Sequence, residues 1–470
     1  MKESIRETAG MTKAAVQAQR SAQKLGQGAA SVAEAAARTA TVHAEFRGKL
    51  LERFIRYAEI GTASDSARAD AGIIPSTEGQ RVLARALEQE LASLGAEDAH
   101  ISEHCYVCAR IPASRGLEAA PPICFLAHLD TAESASGEHV EPQVVERYDG
   151  TALTLRSGAV LDPASDAELA RAAGETIITT TGDTLLGADD KAGIAEIVTA
   201  AEILLSRPGI AHGEVEIVFT PDEETGHGMD FAPLGWFRSK QGYTVDGGEA
   251  GVLEAECFNA WKSTVAFFGK AKHTGTARPD MVNAVCLAAD FVALLPKHES
   301  PETTDGRQGF YAPMRVEGSI EAATVTVFLR DFDAGALQER RKTVETLAAA
   351  VSRKYAGSSV SVTHCKQYAN MKDGVARNPA ALEALVRAVR AAGLEPRFEP
   401  IRGGTDGARL TELGIPAPNV FTGGHGFHSR TEWASLDQME AAVRVLVETA
   451  RQWAAFGEAE RPSSLGELGI

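Results

Sequence analysis

Acidic residues and histidines follow several short apolar runs, at the places where predicted strands end. The run Ile123–Leu126 is followed by His128 and Asp130, which stand two positions apart. On an extended chain both side chains therefore point to the same side. One of the two can ligate a metal ion while the other orients the ligating side chain. For this pair alone, a buried histidine hydrogen-bonded to an aspartate is an equally good interpretation.

Two adjacent carboxylates, Asp189 and Asp190, stand just before a predicted helix over residues 193–205. Neighbouring carboxylates are unfavourable unless cations compensate them, and one carboxylate has two oxygens with which it can bridge two metal ions. The alternative interpretation is an N-terminal helix cap, with the acids at the positive end of the helix dipole.

A third strand-like run, Glu214–Phe219, leads into three consecutive acids, Asp222, Glu223 and Glu224. Neighbouring glutamates suit a division of labour, in which one binds a metal ion and the other is the general base toward water. A solvated acidic loop is the alternative interpretation of this segment.

Two further segments add donors to this set. Asp246 follows the run Gly242–Val245, and a glycine-rich loop near the end of the chain carries His425 and His428. Together the five segments supply the nitrogen and oxygen donors that zinc accepts. The number of donors is sufficient for two divalent ions, whereas their geometry does not follow from the sequence.

The pair Cys105 and Cys108 has CxxC spacing, which can indicate zinc binding or redox chemistry. It lies in a stretch of alternating polarity, and the chain contains no second CxxC. We interpret these residues as ordinary strand cysteines.

Strands that alternate with helices predict an α/β fold with a mixed, largely parallel sheet flanked by helices. Such sheets bind ligands at the carboxyl ends of their strands, where these acids and histidines stand. The middle of the chain differs, because β-rich runs at Thr264–Phe268 and Ala323–Leu329 accompany helix-like stretches, which predicts an inserted, smaller α+β lid domain. The predicted segments are an N-terminal extension, helical or disordered, over 1–42, a catalytic domain in two parts over 43–257 and 371–470, and a lid or dimerisation-type domain over 258–370.

Composition restricts the partners. The chain has 470 residues with 47 Lys+Arg and 64 Asp+Glu, a formal net charge of −17. This charge argues against a nucleic-acid partner and against an anionic membrane surface. The six cysteines are too few for a disulfide framework in a chain of this length, so we expect a cytoplasmic protein.

In their order and spacing, these segments resemble the peptidase T family of tripeptide aminopeptidases, within the dizinc peptidases and amidohydrolases. The resemblance runs from about Phe46 to Ala454. The motifs that carry it are His128–Thr131, Leu185–Ile194, Phe219–Gly226, Thr244–Gly248, Ile401–Gly407 and Pro418–Gly424.

The resemblance implies a role for each matching residue. Two zinc ions would be bound by five ligands, with Asp189 as the bridging one, while the allocation of Glu224 and Asp246 between the ions stays open. Glu223 would be the general base, and Asp130 would support His128. The implied metal ligands are His128, Asp189, Glu224, Asp246 and His428, and the implied substrate-binding residues are His273, Arg330 and Arg402.

The chain departs from the family pattern near the expected substrate pocket. The segment His273–Ala277 lacks a proline that stiffens this turn in the family. The stretch that carries His428 is also altered, so His425 is a competing ligand. These changes bear on peptide length and side-chain preference more than on metal binding.

We therefore expect a zinc-dependent exopeptidase that releases the N-terminal residue from short peptides with a free N-terminus, most simply tripeptides. A related zinc amidohydrolase, of the deacylase or carboxypeptidase type, would use the same metal residues. An inactive metal-binding paralogue is a further alternative. The resemblance also allows a homodimer formed through the lid domain.

Overall fold

The computed structural model of the chain describes residues 46–455. The chain divides into two units between Glu52 and Arg53. The described part of the first unit, residues 46–52, is helical. The predicted N-terminal extension over residues 1–42 lies outside the described residues, and the division of the chain into four segments stays a prediction.

The second unit begins with helical residues 53–58. Its further α-helices are Ser66–Asp70, Glu78–Leu94, Ala167–Arg171, Ala188–Ser206, Ala284–Leu294, Ala334–Lys354, Lys372–Ala376, Pro379–Ala391, Asp406–Glu412 and Leu436–Ala455. Two short 3-10 helices are Thr274–Thr276 and Pro301–Thr303.

The strands, numbered in chain order, are β1 Glu97–Ile101, β2 Val107–Ile111, β3 Ile123–His128, β4 Gln143–Val145, β5 Leu153–Thr154, β6 Val160–Leu161, β7 Ile177–Thr179, β8 Val215–Thr220, β9 Gly242–Gly247, β10 Val252–Glu254, β11 Asn259–Phe268, β12 Phe310–Gly318, β13 Ala322–Asp331, β14 Ser359–Tyr368, β15 Arg397–Phe398, β16 Asn419–Phe421, β17 Gly424–His425 and β18 Trp433–Ser435.

Eight strands form a mixed sheet in the order β1-β2-β8-β3-β9-β16-β10-β15. Its central strands β8, β3, β9 and β16 run parallel to one another, whereas β1, β2 and β10 pair with their inner neighbours antiparallel. Every residue of β3 and β8 is buried, which is typical of parallel strands covered on both faces. The predicted mixed, largely parallel sheet is confirmed.

The long helix Ala188–Ser206 packs against β3 and β9. Its close approach depends on Gly193, since a Cβ at that position would lie 2.0 Å from the carbonyl oxygen of Val245. The helix can therefore bring Asp189 and Asp190, in its first turn, close to Asp246, which follows Val245 in β9.

A second, antiparallel sheet forms the inserted α+β domain, with the strand order β12-β13-β11-β14. The helices Ala284–Leu294 and Ala334–Lys354 pack against it. Its core is aliphatic and aromatic, and it includes the buried residues Val265, Phe267, Leu287, Phe291, Val325, Val327, Leu329, Leu337 and Val344. The predicted smaller α+β domain is confirmed, since its strands and helices include the runs identified in the sequence.

A third sheet has the order β17-β18-β7-β4, and β5 pairs with β6. The loop that joins β17 to β18 carries His428. Because β18 pairs with β7, this loop is anchored to a sheet separate from the eight-stranded one.

Within residues 46–455, no helix has the length and apolar character needed to cross a membrane.

Candidate metal centre

Side chains from three neighbouring strands converge because the central strands are parallel and end at one edge of the sheet. His128 is the last residue of β3 and is paired with Thr220, the last residue of β8. Asp246 is the next-to-last residue of β9, which pairs with β3 on its other side. The acids that follow β8 therefore lie beside His128, at the edge where open α/β sheets bind ligands.

His128 lies between two carboxylates. Its Nε2 is 2.8 Å from Oδ1 of Asp189 and 3.7 Å from Oδ1 of Asp246. Although burial opposes it, hydrogen bonding to Asp130, Asp189 and Asp246 raises the pKa of the His128 imidazole well above its usual range. Burial, followed by the nearby charge of Asp189, raises the pKa of the Asp246 carboxyl to about 7.

His428 approaches the other oxygen of the same aspartate. Its Nε2 lies 3.1 Å from Oδ2 of Asp189 and 3.0 Å from Oε1 of Glu224. These two acids raise the pKa of His428 to about 10. Asp189 thus has one carboxylate oxygen beside each of the two histidines, and His128 also approaches Asp246 while His428 also approaches Glu224.

The donor set fits a divalent metal centre. Two groups, His128 with Asp190 and Asp246, and His128 with Asp189 and Glu224, each have ligand atoms within 4.8 Å of one another. The buried Oδ1 of Asp190 has no hydrogen-bond partner among the described residues. Buried carboxylate oxygens without donors are costly, and a divalent cation removes that cost.

Asp190 does not act as a helix cap. Its Oδ2 accepts a hydrogen bond of 3.1 Å from the backbone N–H of His128, and the residue is fully buried. Burial and the neighbouring charge of Asp246 raise the pKa of Asp190 well above its usual range. From the sequence, Asp190 is recognisable only as the neighbour of Asp189 in a pair of adjacent carboxylates, and its separate contact with His128 is not predicted.

Asp130 fixes the two glutamates of the acidic segment. Its Oδ1 accepts a hydrogen bond of 2.9 Å from the backbone N–H of Glu223, and its Oδ2 one of 3.1 Å from that of Glu224. The imidazole Nδ1 of His128 lies 3.0 Å from the carbonyl oxygen of Asp130. One buried carboxylate therefore holds the acidic segment in register with the end of β3.

Asp222, the first acid of that segment, is buried and points away from the centre. It accepts hydrogen bonds from the backbone N–H and hydroxyl of Ser76, and one of 2.7 Å from Nε2 of Gln80. Its backbone φ of 55° lies in the left-handed region. A solvated acidic loop does not describe this segment.

Glu432 fixes the backbone of the loop that carries Asp189, just as Asp130 fixes the backbone of the two glutamates. Its carboxylate accepts hydrogen bonds from the backbone N–H groups of Leu186 at 2.7 Å, Gly187 at 2.8 Å and Asp189 at 3.1 Å. The residue is 1% exposed, and burial raises its pKa to about 7. Sequence reasoning missed Glu432, because no spacing relates it to a loop almost 250 residues earlier in the chain.

A cavity of about 230 Å³ opens beside these donors. Its acidic lining includes Glu254, which sequence reasoning also missed, and contains no lysine or arginine among the described residues. The lining residues are Asp189, Glu223, Glu224, Asp246, Gly247, Gly248, Glu254, Ile401, Gly404, Thr405, Asn419, Phe427 and His428. Burial raises the pKa of the Glu223 carboxyl well above its usual range.

Three residues that the resemblance assigned to substrate do not line this cavity. His273 is exposed, and its Nδ1 accepts a hydrogen bond of 3.1 Å from the backbone N–H of Gly275. Arg330 is 8% exposed and stacks on the rings of Phe328 and Tyr368. Their assignment to substrate stays a prediction.

The guanidinium of Arg402 is bound to a loop of the inserted domain. It donates hydrogen bonds to the carbonyl oxygens of Gly306, Gln308 and Thr304 at 2.8, 3.0 and 3.3 Å, and to the Thr304 hydroxyl at 3.0 Å. The rings of Phe258 and Phe310 lie against it. The predicted substrate-carboxylate contact is therefore not formed in this arrangement.

His425 is placed away from the centre. Its ring stacks on Trp433 with centroids 4.1 Å apart, and its Nε2 lies 3.2 Å from Oε1 of Gln438. Of the two histidines of this loop, the structure thus brings His428 to Asp189. The pair of CxxC thiols is free and buried, with Cys108 in β2 and Cys105 just before it.

Comparison with known proteins places this geometry in a family. Residues 185–452 match the model of Peptidase family M20/M25/M40. A peptidase T of Clostridium perfringens (strain 13 / Type A) is 42% identical over 406 residues, which cover 86% of this chain and 99% of that protein.

Solved structures agree in fold. A tripeptidase from Staphylococcus aureus has a TM-score of 0.69 at 18% identity, and covers 87% of this chain and 99% of its own. A Bacillus subtilis protein described as a dinuclear metal binding peptidase from the M20 family has a TM-score of 0.58 at 15% identity, with 87% and 98% covered. By the family model and by its identity to peptidase T over almost the whole length of that relative, the chain belongs to Peptidase family M20/M25/M40 and to its peptidase T members.

Proposed function

We propose that this chain is a dinuclear metal aminopeptidase that releases the N-terminal residue from tripeptides. The observation that carries the proposal is the position of Asp189, whose two carboxylate oxygens each lie beside one histidine. Each of these histidines also lies beside one further acid. The names of the relatives supply the substrate class, since they include peptidase T and a tripeptidase.

The distances support one allocation of the ligands. His128 and Asp246 would hold one ion, His428 and Glu224 would hold the other, and Asp189 would be shared by both. Asp190 belongs to one of the two candidate ligand groups, and its Oδ2 accepts a hydrogen bond from the backbone N–H of His128. Nitrogen and carboxylate oxygen donors of this kind suit zinc, which we propose as the metal.

When bound, two divalent cations polarise the scissile carbonyl and make water acidic enough to attack it at neutral pH. The residues of the chain supply the proton transfers and the orientation. Glu223 takes a proton from the attacking water as the new C–O bond forms, and gives it to the amine nitrogen as the C–N bond breaks.

Glu223 is suited to this role by its position and its environment. It lines the cavity, and its backbone is fixed by the carboxylate of Asp130, so its side chain starts from a defined place. Burial raises the pKa of its carboxyl. A raised pKa favours a group that must both accept and release a proton near neutral pH.

The substrate contacts are part of the proposal. Arg402 would bind the C-terminal carboxylate of the peptide through its guanidinium, which matches a carboxylate with two parallel hydrogen bonds. To do so it must leave the loop over residues 304–308. His273 and Arg330 would contact the peptide when the inserted domain closes over the cavity.

We also propose a homodimer formed through the inserted domain, and a cytoplasmic location. Strand β12 is an edge strand of that domain, and its residues Met314 and Val316 are 57% and 52% exposed. Leu294, on a neighbouring helix, is 52% exposed. Apolar side chains on an edge strand favour pairing with another chain. All six cysteines are free, which agrees with a reducing compartment.

The experiment that tests the proposed function compares an unblocked tripeptide with its N-acetylated twin, each with and without a chelator. We expect release of the N-terminal residue from the unblocked peptide only, and loss of that release with the chelator. Cleavage of the acetylated peptide instead would assign the chain to the deacylase or carboxypeptidase type. Absence of cleavage in a protein with both ions bound would contradict the proposal.

A further inference from the structure

We propose that Glu254 binds the α-ammonium group of the substrate, and so determines that the enzyme acts on free amino termini. This inference rests on the proposed aminopeptidase function and adds the group that recognises the amino end. An aminopeptidase that acts only on free amino ends needs a group that recognises the α-ammonium.

Glu254 is held rigidly at the cavity. It ends the short strand β10 and is paired across the antiparallel β10/β16 ladder with Asn419. The Asn419 side chain donates a hydrogen bond of 2.7 Å from Nδ2 to Oε2 of Glu254. Its Oδ1 accepts one of 3.2 Å from the backbone N–H of Asp246. One amide therefore joins Glu254 to the strand that carries a proposed metal ligand.

The other acids of the cavity have different tasks. Asp189, Glu224 and Asp246 lie beside the two histidines, and Glu223 is the proposed base. Glu254 lies outside both candidate metal groups. It is therefore the cavity acid whose charge is left to bind a substrate cation.

The charge of Glu254 has no counterion in the cavity. The lining contains no lysine or arginine among the described residues, and Asn419 supplies a neutral donor. Burial is the main reason why the pKa of Glu254 is raised to about 8. An ammonium group placed beside this carboxylate would stabilise its charged form, and would gain a charge-assisted hydrogen bond.

The same arrangement rejects a blocked amino terminus. An N-acetylated or des-amino peptide has no ammonium group to stabilise the charged form of this carboxylate, so it forgoes the charge-assisted hydrogen bond that a free amino terminus forms. Selectivity through a polar group left unpaired is generally larger than selectivity from apolar contacts.

The test measures kcat and KM of the wild-type enzyme and of Glu254→Gln, both with metal content determined. The substrates are an unblocked tripeptide and its des-amino analogue, which lacks only the α-ammonium group. We expect Glu254→Gln to lose about 10²-fold in kcat/KM on the unblocked peptide. On the des-amino analogue we expect no loss, and the metal content should be unchanged.

Two further variants separate a direct contact from other effects. Glu254→Asp retains the charge, so we expect it to prefer the unblocked peptide more strongly than Glu254→Gln does. Glu399→Gln removes a nearby exposed negative charge that acts on Glu254 only through space, and we expect it to behave as wild type.

The outcomes distinguish this inference from the proposed function. If the wild type releases the N-terminal residue and Glu254→Gln prefers the unblocked peptide just as strongly, the role of Glu254 is wrong and the aminopeptidase function stands. A loss of metal from Glu254→Gln would assign this residue to the metal centre and would also overturn the inference. A metal-loaded wild type that left the unblocked peptide intact would contradict both.

Discussion

The metal centre and the inserted domain differ in how they hold the charged side chains assigned to chemistry. At the centre, Asp130 and Glu432 each accept hydrogen bonds from the backbone of the loop that carries the donors. In the inserted domain, His273 is exposed, and a loop of that domain occupies the guanidinium of Arg402. The donor residues of the centre are thus held in place before any metal ion binds, whereas the proposed substrate contacts require a rearrangement.

The largest effect should come from the proposed base within the preorganised centre. We expect Glu223→Gln to lower kcat by about 10²–10⁴-fold, because it removes the proton transfer and leaves the metal donors in place. The measurement is kcat on an unblocked tripeptide beside the number of bound ions. A variant with full turnover would contradict the role of Glu223, and a variant without metal would place this residue among the ligands.

A smaller effect should follow from a substitution that weakens the support of a proposed metal ligand and leaves the proposed base in place. Glu432→Gln replaces a carboxylate that accepts three backbone N–H groups around Asp189, so we expect metal affinity to fall by about 10–100-fold. Competition with a chelator of known affinity measures this change. The matched control Glu440→Gln alters an acid on the following helix and should bind metal as wild type does. Unchanged metal affinity in Glu432→Gln would show that the loop carrying Asp189 keeps its geometry without the Glu432 carboxylate.

Substitution of Arg402 tests the proposed substrate contacts, which require a rearrangement of the inserted domain. Lysine cannot form the paired hydrogen bonds of a guanidinium, so we expect Arg402→Lys to raise KM for an unblocked tripeptide by about 10–100-fold. The C-terminally amidated twin lacks the carboxylate, and its KM should hardly change. An equal rise for both peptides would mean that Arg402 acts through the loop over residues 304–308 and not through substrate.

The smallest effect concerns the pH dependence of stability around the His428 loop. Burial lowers the pKa of His425, so below the pKa of a free imidazole the unfolded chain binds more protons than the folded one. We expect the free energy of unfolding to fall as the pH decreases below about 6.5, with a slope of at most about 1.4 kcal/mol per pH unit for this group.

The measurement is denaturant unfolding between pH 7 and pH 5.5. His425→Phe keeps an aromatic ring against Trp433 and should reduce this slope. The same substitution at the exposed His298, in the inserted domain, should leave the slope as in wild type. Equal slopes in wild type and His425→Phe would contradict the assignment.

The sequence predicted that these acids and histidines come together at one edge of the sheet, because most of them follow strands. His128, the segment after β8 and Asp246 follow buried runs whose ends meet in a parallel sheet, so their proximity follows from the topology. The sequence did not predict which of the acids lies beside which histidine. Which of Glu224 and Asp246 lies beside His128 depends on ångström-scale placement of loops, which residue spacing does not encode.

The residues that escaped prediction act through contacts between distant segments. Glu432 contacts the backbone of Asp189 across about half the length of the chain. Glu254 contacts Asn419 between two strands that are not consecutive in sequence. The engagement of Arg402 by the inserted domain is of the same kind. Each contact depends on how two folded parts pack, and a local pattern carries no record of it.

The most direct test of a dinuclear centre bridged by Asp189 is the number of divalent ions bound per chain, measured by elemental analysis after reconstitution and removal of excess metal. The proposed ligand set predicts two ions for the wild type, about one for Asp246→Asn and for Glu224→Gln, and neither retained firmly by Asp189→Asn. A wild type that binds a single ion, or an Asp189→Asn protein that keeps two, would contradict the bridged centre.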